Sequence, residues 1–169
     1  MRSGSRATCR ARATAASIIA QLPDGAAPIP LVEPDLAEQH FGDWQGLTHD
    51  ELAARRDGAW HRFWLAPAAE APPGGESFVQ VIERVSAVVA RLCRKHAGRD
   101  IIAVSHGGTI RAALAIALDL DPERALAIAT ENCALTRVEH IAGEAGSHAP
   151  GGDGVWRVAL VNVVPKAMT

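Results

Sequence analysis

The sequence has few cysteines, almost no excess of either charge and no apolar run long enough to span a membrane. Its three cysteines are odd in number and too widely spaced for a Cys-x-x-Cys pair. They therefore argue against a disulfide framework or a zinc site and favour a reducing, cytoplasmic compartment. A formal net charge of −2 gives no general attraction to nucleic acid or anionic membrane. We expect neither as a partner, and any anion site must be local.

The length and composition indicate one globular domain over residues 1–169. Apolar residues make up 48% of the chain and charged residues 21%, which are ordinary globular values. The first fifteen residues are rich in arginine, serine and threonine and lack acids, as in a transit peptide. Apolar residues recurring from Ala11 to Leu22 favour an amphipathic helix there instead.

The stretch at 101–111 reads Ile-Ile-Ala-Val-Ser-His-Gly-Gly-Thr-Ile-Arg. The apolar run Ile101–Val104 predicts a buried strand covered on both faces, followed by a tight turn and a helix from Thr109 to about Leu118. Paired glycines allow close backbone approach, and a helix N-terminus favours an anion. These features suggest a phosphate site containing His106. Taken alone, they fit a turn-capping histidine equally well.

The remaining pattern alternates helices and strands, which predicts an α/β domain with a mostly parallel sheet and helices on both faces. Thr48 and Glu51 form a capping box for a helix to about Arg56, and Ser77 caps a long amphipathic helix that ends at Gly98. Further predicted elements are an irregular strand at Ile29–Val32, a short helix at Asp121-Pro122-Glu123 and strands at Cys133–His140 and Gly154–Val164, with a glycine-rich loop over 143–153. The cluster of Trp60, Phe63 and Trp64 is interpreted as core or lid.

Four segments carry a family resemblance. They are Arg10-Ala11-Arg12-Ala13-Thr14-Ala15, Leu36-x-Glu38-x-x-Phe41-Gly42-x-Trp44-x-Gly46, Pro72-Pro73-Gly74-Gly75-Glu76-Ser77 and Val104-Ser105-His106-Gly107-Gly108. In this order they resemble the histidine phosphatase superfamily, also called phosphoglycerate mutase-like, and specifically its alpha-ribazole phosphatase-like branch. The resemblance implies a three-layer α/β/α domain, a phosphohistidine mechanism without metal or cofactor, and a small-molecule phosphate ester as substrate.

The resemblance also implies roles for individual residues. Arg10 is similar to an arginine of the phosphate pocket, and its planar fork suits phosphate oxygens. Glu38 is similar to the proton donor to the leaving oxygen, and His106 to the second pocket histidine, aided by the amides of the turn at Gly107. Glu76 is a possible second acid, although its place at a helix start also fits a plain capping role.

One motif of the family has no counterpart in the sequence. In the family, the nucleophilic histidine lies in an Arg-His-Gly motif at the end of the first strand. In this sequence no histidine stands between an arginine and a glycine. We consider a gene start assigned too late, a shortened chain or a degenerate relative. Lacking that strand, the sheet would expose an apolar edge. The prediction is a phosphoric monoester hydrolase whose nucleophile is absent from the chain as written. The alternatives are a non-catalytic phosphate-ester-binding or scaffold protein, or a phosphoglycerate mutase.

Overall fold

The structure is a computed structural model that describes residues 6–23, 25, 27–55, 64–143 and 154–165, and two packed helices form its framework. Helix α3 (Phe78–Lys95) packs against α4 (Gly107–Leu118), and the short α5 (Pro122–Ala125) contacts both. The other helices in these ranges are α1 (Arg6–Ile19), α2 (His49–Arg55) and two single 3₁₀ turns, Pro34–Leu36 and Gly42–Trp44. No helix within the described ranges has both the length and the apolar character of a membrane span.

Helix α3 forms where the sequence predicts it. Ser77 accepts a hydrogen bond from the Gln80 amide at 3.2 Å, and Gln80 Oε1 accepts one from the Ser77 amide at 2.8 Å. This reciprocal capping box satisfies two amides that the first turn leaves without partners. The buried stripe then repeats at helical spacing through Phe78, Val81, Val85 and Val88.

The core lies where this stripe meets α4. Phe78 is 1% exposed, and Val81 and Val85 are fully covered. Small residues on α4, Ala112 and Ala115, allow the two helices to approach closely. The remaining members of the buried cluster are Ala68, Ala125 and Leu126.

The two strands that follow α5 pair as an antiparallel ladder. β1 (Leu135–Ala142) lies beside β2 (Gly154–Val163), with His140 opposite Trp156. The prediction of neighbouring strands at Cys133–His140 and Gly154–Val164 is confirmed. The glycine-rich loop predicted between them falls, apart from Gly143, outside the described residues.

The predicted buried strand Ile101–Val104 is wrong. Ile101 is 46% and Ile102 83% exposed, and no ladder among the described residues includes this segment. The predicted strand Ile29–Val32 also does not form, with Ile29 at 88% exposure. An apolar run becomes a buried strand only when neighbouring backbone supplies hydrogen bonds and cover, and the described part of the chain supplies neither here. The predicted three-layer α/β/α domain with a mostly parallel sheet is therefore not confirmed. The sheet among the described residues has two antiparallel strands.

The shorter predicted helices form with shifted ends. α1 begins at Arg6 rather than Ala11, and α4 begins two residues before the predicted Thr109. The Thr48 capping box is present, because Thr48 N donates to Glu51 Oε2 at 2.8 Å and Glu51 N donates to Thr48 Oγ1 at 3.2 Å. Of the predicted aromatic cluster, Trp60 and Phe63 lie outside the described residues. All three cysteines, Cys9, Cys93 and Cys133, are free thiols.

Candidate active site

The N-terminus of α4 is the centre of the candidate site. His106 is the N-cap, with extended backbone angles of φ −129° and ψ 163°, and its side chain makes no capping hydrogen bond. The two glycines that follow form the first turn, where backbone amides point outward and the helix dipole favours negative charge. His106 is half-buried at this end of the helix.

Glu38 occupies the same helix end. Its Oε1 accepts hydrogen bonds from the Gly108 amide at 3.2 Å and from the Gln39 amide at 2.9 Å. A Cβ atom at Gly108 would lie 2.5 Å from Glu38 Oε1, so a larger residue here would displace the carboxylate from the helix end. Gly108 thus leaves room for the Glu38 carboxylate against the helix, and the structure brings together Glu38, His106 and the turn at Gly107.

The backbone leading to Glu38 is fastened to the same helix. Ser105 Oγ donates to the Leu36 carbonyl at 2.7 Å, and Thr109 Oγ1 donates to the Ala37 carbonyl at 2.8 Å. These hydroxyls flank His106 in sequence, so the turn that holds the histidine also holds the segment that carries the carboxylate.

Arg10 lies on α1 with an exposed side chain. Its positive charge reaches His106, because Arg10 contributes to lowering the pKa of the imidazole. The charges of Arg10 and Glu38 therefore both act on the His106 imidazole. These are the three side chains predicted for the phosphate pocket.

Glu76, the possible second acid, is placed differently. Its carboxylate forms an ion pair with Arg84, in which Arg84 Nη2 lies 2.9 Å from Oε1 and Nε lies 3.0 Å from Oε2. Oε1 also accepts a hydrogen bond from the His40 amide at 2.9 Å. Both oxygens thus act as acceptors, which favours anchoring over proton donation.

Sequence reasoning missed Arg111. It is 8% exposed, its Nε donates to the Ile128 carbonyl at 2.7 Å, and its guanidinium carbon lies 4.4 Å from the centre of the Trp64 ring. Burial lowers the pKa of Arg111, and the Glu38 carboxylate opposes that shift. The sequence could have indicated Arg111 by its helical spacing, because it lies one turn after Gly107 on the same face of α4.

The chemistry that these groups allow is anion binding with proton transfer. An arginine, a histidine and helix amides stabilise negative charge, while a carboxyl group can exchange a proton with a leaving oxygen. Within the described ranges, no group of three or more His, Cys, Asp or Glu side chains is arranged to hold a metal ion.

Comparison with known families agrees with this geometry. The sequence profile of the histidine phosphatase superfamily (branch 1) matches residues 7–149, which is most of the chain. The chain belongs to the histidine phosphatase superfamily. The resemblance drawn from the four sequence segments is thereby confirmed.

Relatives of this histidine phosphatase domain include enzymes with named phosphatase activities. The chain is 40% identical over 80 residues to a metal-independent phosphoserine phosphatase of Arabidopsis thaliana, a match covering 47% of this chain and 34% of that protein. It is 40% identical over 97 residues to a glucosyl-3-phosphoglycerate phosphatase of Mycobacterium tuberculosis, covering 53% of this chain and 43% of that protein. The chain thus spans less than half the length of these curated relatives.

Solved structures support a phosphoglycerate mutase-like fold. A mycobacterial glucosyl-3-phosphoglycerate phosphatase structure superposes with a TM-score of 0.74 at 30% identity, covering 92% of this chain and 74% of that one. The alpha-ribazole phosphatase of Shigella flexneri gives a TM-score of 0.67 at 22% identity, covering 93% of this chain and 71% of that one. The second likeness concerns the fold alone.

His106 is expected to titrate below the ordinary histidine pKa of 6.5 in this histidine phosphatase domain. Burial is the largest cause of its lowered pKa, Glu38 opposes the shift and Arg10 adds to it. Glu38→Gln should therefore lower the pKa of His106 further, and Arg10→Met should raise it, as followed by NMR of the imidazole Cε1 proton. A pKa change in the reverse direction in either variant would contradict the placement of these charges.

The lowered pKa of His106 also determines how this residue makes stability depend on pH. As pH falls through 6.5, the unfolded chain takes up the His106 proton before the folded chain does, so stability decreases. The variant His106→Gln should lose this part of the pH dependence in urea denaturation.

Proposed function

We propose that this protein is a phosphoric monoester hydrolase acting on a small phosphorylated metabolite through a phosphohistidine intermediate. The observation that carries the proposal is the Glu38 carboxylate, which is hydrogen-bonded to the Gly108 amide at 3.2 Å beside His106. A proton donor, a histidine and a helix N-terminus meet at one point there. Phosphoryl transfer needs this combination, because negative charge develops on the phosphoryl oxygens while the leaving oxygen takes up a proton.

In the proposed reaction a histidine nitrogen attacks phosphorus in line as the bond to the leaving oxygen breaks. Glu38 gives its proton to that oxygen, and the alcohol departs. Water then attacks the phosphohistidine, loses a proton to the Glu38 carboxylate, and releases phosphate while the histidine is regenerated. Arg10 and His106 stabilise the phosphoryl charge in both steps. The attacking histidine of the Arg-His-Gly motif has no counterpart in the sequence.

The class of substrate is supported by the relatives. One acts on phosphoserine and another on glucosyl-3-phosphoglycerate, according to their names. Both compounds are small organic phosphate esters. The local character of the anion site in a chain of net charge −2 fits such a substrate better than a polyanion.

A second candidate function is binding of a phosphate ester without hydrolysis. This function needs only a pocket that holds the phosphate group, and the helix end at His106 favours an anion without a nucleophile. The two candidates differ in whether the bound ester can react when a nucleophile is available.

Binding is tested with orthovanadate, by calorimetry on the purified chain. The wild-type chain should bind, and His106→Ala should remove saturable binding because the imidazole lies at the helix end that receives the anion. His96→Ala is the matched control, since His96 caps the far end of α3 and should leave affinity unchanged. Equal affinity in wild type and His106→Ala would place His106 outside the pocket.

Hydrolysis is tested with aryl phosphates and added imidazole, which replaces a histidine side chain as nucleophile. We expect imidazole-dependent release of phenol that is lost in His106→Ala. Glu38→Gln should slow phenyl phosphate more than p-nitrophenyl phosphate, because the poorer leaving group depends more on protonation. Vanadate binding without any imidazole-dependent release would favour the binding function, whereas turnover without imidazole would show a nucleophile within the chain.

A further inference from the structure

Arg84, on the first half of α3, reaches across to the segment that carries Glu38. Its Nη1 donates to the Asp35 carbonyl at 2.6 Å, and its Nη2 donates to the Ala37 carbonyl at 3.0 Å. The Glu38 carbonyl lies 3.4 Å from the same nitrogen. One guanidinium therefore fixes three points of the backbone that enters the site.

Glu76 fastens the other side of the same segment. Its carboxylate accepts the His40 amide at 2.9 Å, while its own amide donates to the His40 carbonyl at 2.9 Å. Gln39 Nε2 donates to the Glu76 carbonyl at 2.9 Å, and Trp64 Nε1 donates to Gln39 Oε1 at 3.2 Å. Glu38 thus lies between two anchored stretches.

The link between the anchors is the ion pair of Glu76 and Arg84. Each side chain is only 21% exposed, and the contact is bidentate. Paired guanidinium and carboxylate forks hold a more defined geometry than a single contact does. Removing either partner leaves the other without its counter-charge in a partly covered position, although its hydrogen bonds to the backbone remain.

We propose that Glu76 and Arg84 are positioning residues that keep the Glu38 carboxylate on the Gly108 amide. Glu76 is then an anchor and not a second acid. The meaning of this placement for catalysis rests on the proposed function, but the contact it controls is a property of the folded chain. It can therefore be measured without a substrate.

The readout is the NMR signal of the Gly108 amide during a pH titration. This amide donates to Glu38 Oε1, so its shift should follow protonation of that carboxylate. Charged groups near Glu38 include His106 and Arg111. Glu38→Gln identifies the source of the signal, because it removes the Glu38 titration and leaves that of His106.

Arg84→Met should abolish the Glu38-dependent shift of Gly108, and Glu76→Gln should reduce it. Arg84→Lys retains the charge and stem but lacks the fork, so it should fold and show a reduced shift. Arg91→Met is the matched control, because Arg91 lies two turns further along α3 and pairs with Glu33. It should leave the Gly108 shift intact.

A full Gly108 shift in both Arg84→Lys and Glu76→Gln would overturn the proposal. An equal loss in Arg91→Met would show a general loosening of α3 and would also overturn it. Because no arm uses a phosphate ligand, a failure to bind vanadate would contradict the proposed function and leave this result untouched.

Discussion

Replacing Phe78 with alanine is expected to lower the free energy of unfolding by about 3–5 kcal/mol. The ring is 1% exposed and belongs to the cluster between α3 and α4. Alanine would remove the buried ring and leave a cavity, because the surrounding structure relaxes only partly. Urea denaturation followed by circular dichroism measures the change.

Ile102→Ala is the matched control for this substitution. Ile102 is 83% exposed, so its truncation should change the free energy of unfolding by at most about 0.5 kcal/mol. If the two variants lost similar stability, Ile102 would have to be covered in solution, and the correction to the predicted strand Ile101–Val104 would fail.

Local signals predicted the elements whose causes lie close together in sequence. The Ser77 cap and the apolar stripe from Phe78 specify α3, and the confirmed capping box from Thr48 to Glu51 spans four residues. Such elements depend on neighbours within one or two turns. A sequence therefore contains most of the information that determines their ends.

The strand at Ile101–Val104 failed for the opposite reason. Its apolar run indicates burial, but a strand also requires a hydrogen-bonding neighbour from elsewhere in the chain. The described residues provide none beside it, and Ile102 is exposed. Composition predicts that a segment tends to be buried. The residues that would bury it come from distant parts of the sequence.

The candidate site shows the same division. His106 and the paired glycines were visible as a local turn, while the association of Arg10 and Glu38 with that turn came from the family resemblance. The anchoring role of Arg84 had no local signal, since its carbonyl partners at Asp35 and Ala37 lie 49 and 47 residues away. Both Arg84 and Arg91 lie outside the apolar stripe of α3, so the helical pattern does not distinguish them.

The loop that carries Glu38 turns at Gly42, and a side chain there should be costly. Gly42 has φ +49°, and a Cβ atom would overlap the Pro73 carbonyl and lie 2.6 Å from the Gly75 amide nitrogen. Both neighbours are backbone, so neither can rotate away. Gly75 is equally confined, since its own Cβ would lie 2.9 Å from the Gly42 nitrogen.

Gly42→Ala is therefore expected to lower the free energy of unfolding by about 2–5 kcal/mol, the sum of left-handed backbone strain and overpacking. Gly46→Ala is the matched control in the same loop. Gly46 has φ +87°, and nothing lies within 4 Å of the position that its Cβ would take, so strain alone applies, at about 1–2 kcal/mol. Urea denaturation of both variants separates the two contributions.

Gly42→Ala and Gly46→Ala also test whether packing of this loop determines the position of Glu38. The Asp43 amide donates to the Pro73 carbonyl at 2.9 Å, next to the contacts that join His40 to Glu76. If Gly42→Ala forces these two loop segments apart, the Gly108 amide should lose its Glu38-dependent shift, whereas Gly46→Ala should keep it. The contrary result is equal stability and an unchanged Gly108 shift in both variants. The loop could then move away from residues 73–75 without displacing Glu38, and the contacts of Arg84 and Thr109 would be enough to hold Glu38 in place.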